Sequence, residues 1–378
     1  MRGDIGIAAL VASAALGSTA CEESFDHGPS GDGGATSTTT AGPATGPGEG
    51  GGVQDVGVAL DVPVPSTGRV LVDLETATIA SEADAWDIAF EGVDVLTNGG
   101  LSGPGAGAAF GPYAATQILF DERPEVPFVI EDHAGGAFLD WYLYDGTTHA
   151  LWSRYHVVGV QRGDARYKVQ ILGYYGEVDS APVSALYHLR YAEVGAAGSS
   201  TTSIVEGLDG TAGGTGPDDA APSGCLRLVD GTVTALGPAE AQASEAWDLC
   251  FRRDVITVNG ERGGPGGVVA VNLDAGAIAG ESLEDVAART PDGEAARFDA
   301  VDAARLDDPA LVWRGDRVIS AFSDAWLETR DGALAPVAAT WLVVGADGAE
   351  HLVAFEALTG ATATSVGTVR LRTRPVRP

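Results

Sequence analysis

Apolar and polar residues alternate with a period of two through most of the chain, the pattern of half-buried β-strands. It is clear in Tyr167-Lys168-Val169-Gln170-Ile171-Leu172, in Ala185 to Tyr191 and in Gly367 to Arg372. Val70 to Leu74 predicts another strand, followed by a turn at Glu75-Thr76-Ala77 and a return at Thr78-Ile79. Trp86, Ile88 and Phe90 alternate as well, which predicts one large apolar face, with Asp87 on the opposite side free to accept turn or strand-edge hydrogen bonds. Asn98-Gly99-Gly100, Asp145-Gly146 and Asp347-Gly348 supply turn chemistry between these segments. Long amphipathic helical patterns are absent; a short helix is expected near Ser282–Ala288.

The Trp-Asp segment occurs twice. Trp86, Asp87, Phe90, Asn98 and Gly103-Pro104-Gly105 correspond to Trp247, Asp248, Phe251, Asn259 and Gly264-Pro265-Gly266 at a constant offset of 161. A gapless register of this length marks a duplication. The far ends correspond too: Trp141 with Trp326, and Tyr155 to Gly159 with Trp341 to Gly345. The offset there has grown to 185 or 186, so the second unit carries about 25 extra residues, placed between Asp274 and Asp308. The reading is of two tandem, antiparallel, nearly all-β domains, 53–194 and 225–378, joined by a Gly/Ser/Thr-rich linker at 195–224.

Composition changes the picture at the surface and at the N-terminus. The chain has 53 acidic against 22 basic residues, a formal charge of −31. Such a surface repels nucleic acid and anionic membranes and offers no phosphate footprint. Residues 1–21 resemble an export signal: Arg2, an apolar run from Ile5 to Leu16 too short to span a bilayer, then Ser18-Thr19-Ala20-Cys21. This resembles a lipobox, with Cys21 as the lipidation site, although Ser18 stands where Leu is usual. Residues 22–52 are Gly, Ser, Thr, Pro and acidic residues with little to bury, the composition of a disordered tether. Together they predict an outer-membrane or cell-surface lipoprotein held by its lipid anchor alone; a secreted or periplasmic protein is the alternative.

Cys225 and Cys250 flank adjacent strand-like segments of the second unit, and an exported chain meets conditions in which disulfides persist. They are a candidate disulfide, with two buried thiols as the alternative. The first unit has Ala89 where the second has Cys250.

The order of these features also carries a resemblance. It runs from the first strand and turn to Trp-Asp-x-Ala-Phe, Asn98-Gly99-Gly100 and Gly103-Pro104-Gly105. Trp141-Tyr142, the strand pair Tyr155–Val158 and Tyr167–Tyr175, and a closing strand follow. This order resembles the HmuY family, haem-binding bacterial lipoproteins with an all-β fold. The likeness covers nearly all of unit one. In unit two it covers the Trp-Asp block and the last strands, where His351-Leu352 and Leu358-Thr359 replace the Tyr-Lys and Tyr-Tyr features. The resemblance implies haem as cofactor, an outer-membrane haem receptor as partner, and iron held by paired side chains. With almost no Met, His is the candidate ligand type. His133 and His149, in loop-like stretches of the variable middle, are the candidate pair. His156 lies among core-like residues and reads as structural, and Phe138, Trp141, Tyr142, Tyr144 and Trp152 could wall a porphyrin or fill a core. The Trp-Asp block itself reads as a fold signature.

Signals for catalysis are poor. Gly103 to Gly107 lacks the glycine spacing and the following helix of a dinucleotide loop, and no nucleophile elbow, zincin or EF-hand spacing occurs. The expectation is a non-enzymatic, surface-tethered haem-acquisition protein. The alternative is a structural or protein-interaction module on the same fold, without haem.

Overall fold

The computed structural model describes residues 57–377 apart from 83, 196–197, 200 and 214–219. The expected export signal over 1–21, Cys21 and the expected tether over 22–52 lie outside the described residues. The chain is mainly β, in several antiparallel sheets, and among the described residues no helix is long and apolar enough to cross a membrane.

From the N-terminal side run β1 (Val58–Pro63), β2 (Arg69–Asp73), β3 (Thr78–Ala80), β4 (Ile88–Glu91), β5 (Asp94–Thr97) and β6 (Ala108–Ala114). The short β7 (His133–Gly135) leads to β8 (Tyr142–Asp145), β9 (Ala150–Ser153), β10 (Val157–Arg162), β11 (Ala165–Val178) and β12 (Ala181–Gly195). Then come β13 (Gly198–Ser199), β14 (Ser203–Asp209), β15 (Ser223–Leu226), β16 (Val233–Leu236), α1 (Pro238–Ala243), β17 (Leu249–Arg252), β18 (Val255–Val258) and β19 (Val268–Asn272). Helices α2 (Leu283–Ala287), α3 (Ala295–Asp299) and α4 (Ala303–Leu306) follow. The chain closes with β20 (Arg317–Ile319), β21 (Leu327–Arg330), β22 (Ala333–Pro336), β23 (Ala339–Val344), β24 (Glu350–Thr359) and β25 (Thr368–Pro375).

The sheets do not divide at 195–224. One is ordered β1-β25-β24-β23-β6 and another β13-β12-β11-β10-β19, so each takes strands from both repeats. The cores divide the same way. Ile88 and Phe90 of the first repeat pack with Phe322, Trp341 and Phe355 of the second. Val160, Val169 and Tyr187 of the first pack with Leu249, Phe251 and Val258 of the second. Lobe one is therefore built from about 57–132 and 317–377, and lobe two from the residues between them. Each repeat gives its first half to one lobe and its second half to the other. The stretch expected as a linker also contains structure: β14 pairs with β12, and β15 begins at Ser223.

The two crossings are β7 and β20, which pair with each other. His133 lies opposite Ile319, Ala134 opposite Val318 and Gly135 opposite Arg317. Asp132 and Asp316 immediately precede them and play equivalent parts. Asp132 accepts the Thr97 N–H at 3.0 Å, and Asp316 accepts the Val258 N–H at 2.8 Å. The ribbon is thus its own counterpart when the repeats are exchanged, with Ala134 and Val318 at its centre. The exchange satisfies backbone hydrogen bonding at two sheet edges. The free edges of β6 and β19 need partners, and β23 and β10 of the other repeat supply them.

A chain folded this way holds together without its connection between repeats. A protease site inserted between Gly213 and Ala220, cut in the folded protein, is expected to leave one species on size exclusion. Its two fragments should separate only in denaturant, whereas two independently folded repeats would separate at once.

Candidate functional site

The duplicated block is a clamp in both lobes. Asp87 accepts the N–H groups of Leu74 at 2.8 Å and Ala346 at 3.0 Å. Asp248 accepts the Leu228 N–H at 2.7 Å and the Arg162 guanidinium at 2.8 Å. Each carboxylate therefore ties its own repeat to the β-hairpin of the other. Asn98 donates to the Trp86 carbonyl at 2.7 Å and accepts the Gly105 N–H at 3.2 Å. Asn259 repeats this with Trp247 and Gly266, at 2.8 Å each. A Cβ at Gly105 would stand 2.6 Å from the Asn98 carbonyl oxygen, so the turn needs glycine there. These groups are buried and mutually satisfied, which suits a fold signature.

Trp86 does not share a face with Ile88 and Phe90. β4 begins only at Ile88, so the alternation does not reach back to Trp86. Trp86 packs with Leu71, Ala89 and Leu96 on the other side of the sheet. In lobe two the same place is filled by a disulfide. Cys225 and Cys250 are directly opposite on β15 and β17, with Cα atoms 4.0 Å apart, and pack with Trp247. The bond thus replaces the Leu71–Ala89 pair of lobe one, and closing a loop of 25 residues contributes about 3 kcal/mol.

A cleft of about 40 Å³ opens where the ribbon meets lobe two. His133 and Ile319 come to it from the ribbon, Leu139 and Tyr142 from the segment after β7, and Asp254 from the turn between β17 and β18. The turn is held by Trp141, whose indole N–H donates to the Asp254 carbonyl at 2.7 Å. Trp326 does the same for Val93 in lobe one, at 3.0 Å. The Tyr142 hydroxyl donates to the Asp254 carboxylate at 2.9 Å. Burial pushes the Asp254 carboxyl up, against the opposing effects of the Tyr142 bond and the charges of His133 and Arg253. Apolar walls, convergent polar groups and a shifted carboxyl at a lobe boundary are the usual features of a binding site.

Of the two histidines expected to hold haem iron, only His133 lines this cleft. His133 lines the cleft, with Nδ1 3.2 Å from the Glu131 carbonyl. His149 is outside the lining, in the turn between β8 and β9 at φ 57°, with Nδ1 bonded to the Tyr144 hydroxyl. The aromatic residues also separate: Phe138 and Trp141 belong to the lobe-two core beside Tyr174 and Tyr187, whereas Trp152 is 39% exposed. His156 is buried and bonded to Glu281 at 3.0 Å, in keeping with a structural role. Among the described residues no group of three or more His, Cys, Asp or Glu is arranged to hold a metal ion.

The extra residues of the second repeat cover the outer face of β10–β12. Ser282 caps α2, as expected for a helix near Ser282–Ala288. Phe298 of α3 packs with Val157, Val194 and Leu306, and the only lysine, Lys168, donates to the Phe298 and Val301 carbonyls at 2.9 and 3.0 Å. Glu281 anchors the start of this segment through Arg154 and Arg289, both at 2.6 Å.

Asp254, Glu281 and the pair Asp132 and Asp316 were not singled out from sequence. Only the last pair left a signal, an Asp nine residues before Trp141 and ten before Trp326. No family model matches the chain, and no curated protein matches it.

Proposed function

We propose that the chain is a surface-tethered, non-enzymatic binding protein built on two copies of an HmuY-like β unit, and that it works as an interaction module rather than a haem carrier. The separation of the two candidate iron ligands supports this choice: His133 faces a cleft of about 40 Å³ while His149 is engaged with Tyr144 outside it. The tether and lipidation at Cys21 rest on the N-terminal sequence, and the HmuY-like unit on the order of motifs in each repeat. The haem reading rests on that resemblance alone.

Titrating the full chain with haemin and following the Soret band separates the two readings. The expected result is no saturable shift. A stoichiometric shift that disappears in both His133→Ala and His149→Ala would overturn the interaction reading in favour of haem carriage.

A further inference from the structure

We propose that the cleft beside the crossover ribbon binds an ammonium or guanidinium group carried on a short apolar stem. This rests on the cleft being the binding site of the interaction module above, and it names the chemistry of the ligand.

The argument comes from comparing the two ends of the ribbon. At the lobe-one end the residue equivalent to His133 is Arg317, a permanent cation. Its guanidinium donates to Asp324 at 2.6 Å. Its charge also acts on Asp94 in the turn between β4 and β5, lowering a carboxyl that burial raises. Lobe one therefore carries its own cation at this position. At the lobe-two end the same three places are filled differently. Arg317 is replaced by His133, Asp324 by Leu139, and the carboxylate of the turn is Asp254, one position earlier than the counterpart of Asp94. The guanidinium at this position has become an imidazole, its partner has become an apolar wall, and the turn carboxylate remains, with the charges of His133 and Arg253 acting on it.

Asp254 has capacity for a further partner. The Tyr142 hydroxyl and the Asp254 N–H donate to its carboxylate, and a carboxylate accepts about four hydrogen bonds. The rest of the lining is largely apolar, including Leu139, Val255 and Ile319. A charge next to Asp254 with methylenes against these side chains satisfies both parts of the cleft. A cavity of about 40 Å³ holds roughly three water-sized groups, which matches the end of an alkylammonium chain. The formal charge of −31 draws cations towards the molecule as a whole. Free amines and the ends of basic side chains share this chemistry.

The test uses the full chain and n-propylammonium chloride at constant ionic strength, followed by calorimetry or NMR shifts, with n-propanol and butyrate as controls. Saturable one-to-one binding is expected, about tenfold or more weaker in Asp254→Asn and for n-propanol, because the charge-assisted hydrogen bond is lost in both. His133→Arg is expected to abolish binding by restoring the internal cation of lobe one, and it tests the idea even if Asp254→Asn folds poorly. Absence of saturation, unchanged affinity in Asp254→Asn, equal binding of n-propanol, or full binding by His133→Arg would each overturn the proposal. Nα-acetyl-lysine methylamide forms a second arm. Tighter binding than n-propylammonium assigns the seat to a basic side chain of a partner, and weaker binding assigns it to free amines. Haemin binding bears on the interaction reading alone, since the porphyrin and propylammonium signals are read separately.

Discussion

Glu281→Ala is expected to destabilise the protein by about 3–5 kcal/mol at pH 7, measured by urea unfolding, because it leaves buried cations without their counter-charge. Arg154, Arg289 and His156 all converge on this one carboxylate, whose side chain is 5% exposed. Burial alone would raise the Glu281 carboxyl, but hydrogen bonds from Arg154, Arg289 and His156 outweigh it and hold it at about 2. The folded state therefore prefers the ionised form. Its contribution is fully present above the ordinary value of 4.5 and is lost as pH falls towards 2. Through this group the wild type loses about 2 kcal/mol between pH 7 and pH 3, a loss absent in Glu281→Ala. Equal acid sensitivity of the two proteins would remove Glu281 as the anchor of the inserted segment.

Asp316→Asn is expected to remove most of a pH dependence of the opposite sign. Asp316 is 1% exposed, and one carboxylate oxygen accepts the Val258 N–H while the other has no partner. Burial pushes this carboxyl up to about 7, the Val258 bond opposes that, and Glu261 adds to the rise. Here the folded state prefers the proton. The contribution is complete below the ordinary value of 3.8 and is lost as pH rises through about 7. Between pH 5 and pH 8 the wild type should lose about 2–3 kcal/mol through Asp316. Asp132 at the other crossing, raised by burial to about 6, adds a smaller loss over the same range. In Asp316→Asn the amide keeps an acceptor for Val258 and places a donor where the lone oxygen was. The slope of unfolding free energy over pH 5–8 should therefore fall by more than half. An unchanged slope would mean that Asp316 is ionised throughout. Since Asp132 and Asp316 begin the two crossing strands, this term acts where the lobes exchange chain.

The β-rich character was legible because it is written in neighbouring residues: alternation in β11, β12 and β25, and turn residues between them. The short helix expected near Ser282–Ala288 is present as Leu283–Ala287, and the structure shows Ser282 capping it. Cys225 and Cys250 could be paired in prospect because they lie on adjacent strands of one repeat. The face of Trp86 was misread because alternation was carried past the end of β4. The pairing of His133 with His149 rested on residue type and loop character, neither of which contains a distance. The cleft was not legible at all, since Leu139, Asp254 and Ile319 meet only after the chain has crossed between lobes twice.

By itself the sequence determined that this protein is a duplicated β structure, with a Trp-Asp and Gly-Pro-Gly clamp in each copy and a strongly acidic surface. Only the tertiary structure decided which copy each half completes. The repeats present the same edge strands with the same hydrogen-bonding groups, so β6 could pair equally well within its own repeat or with the other. Local pattern is blind to that choice. It is made by the β7–β20 ribbon, and with it comes the one place where His133 and Asp254 face the same cleft.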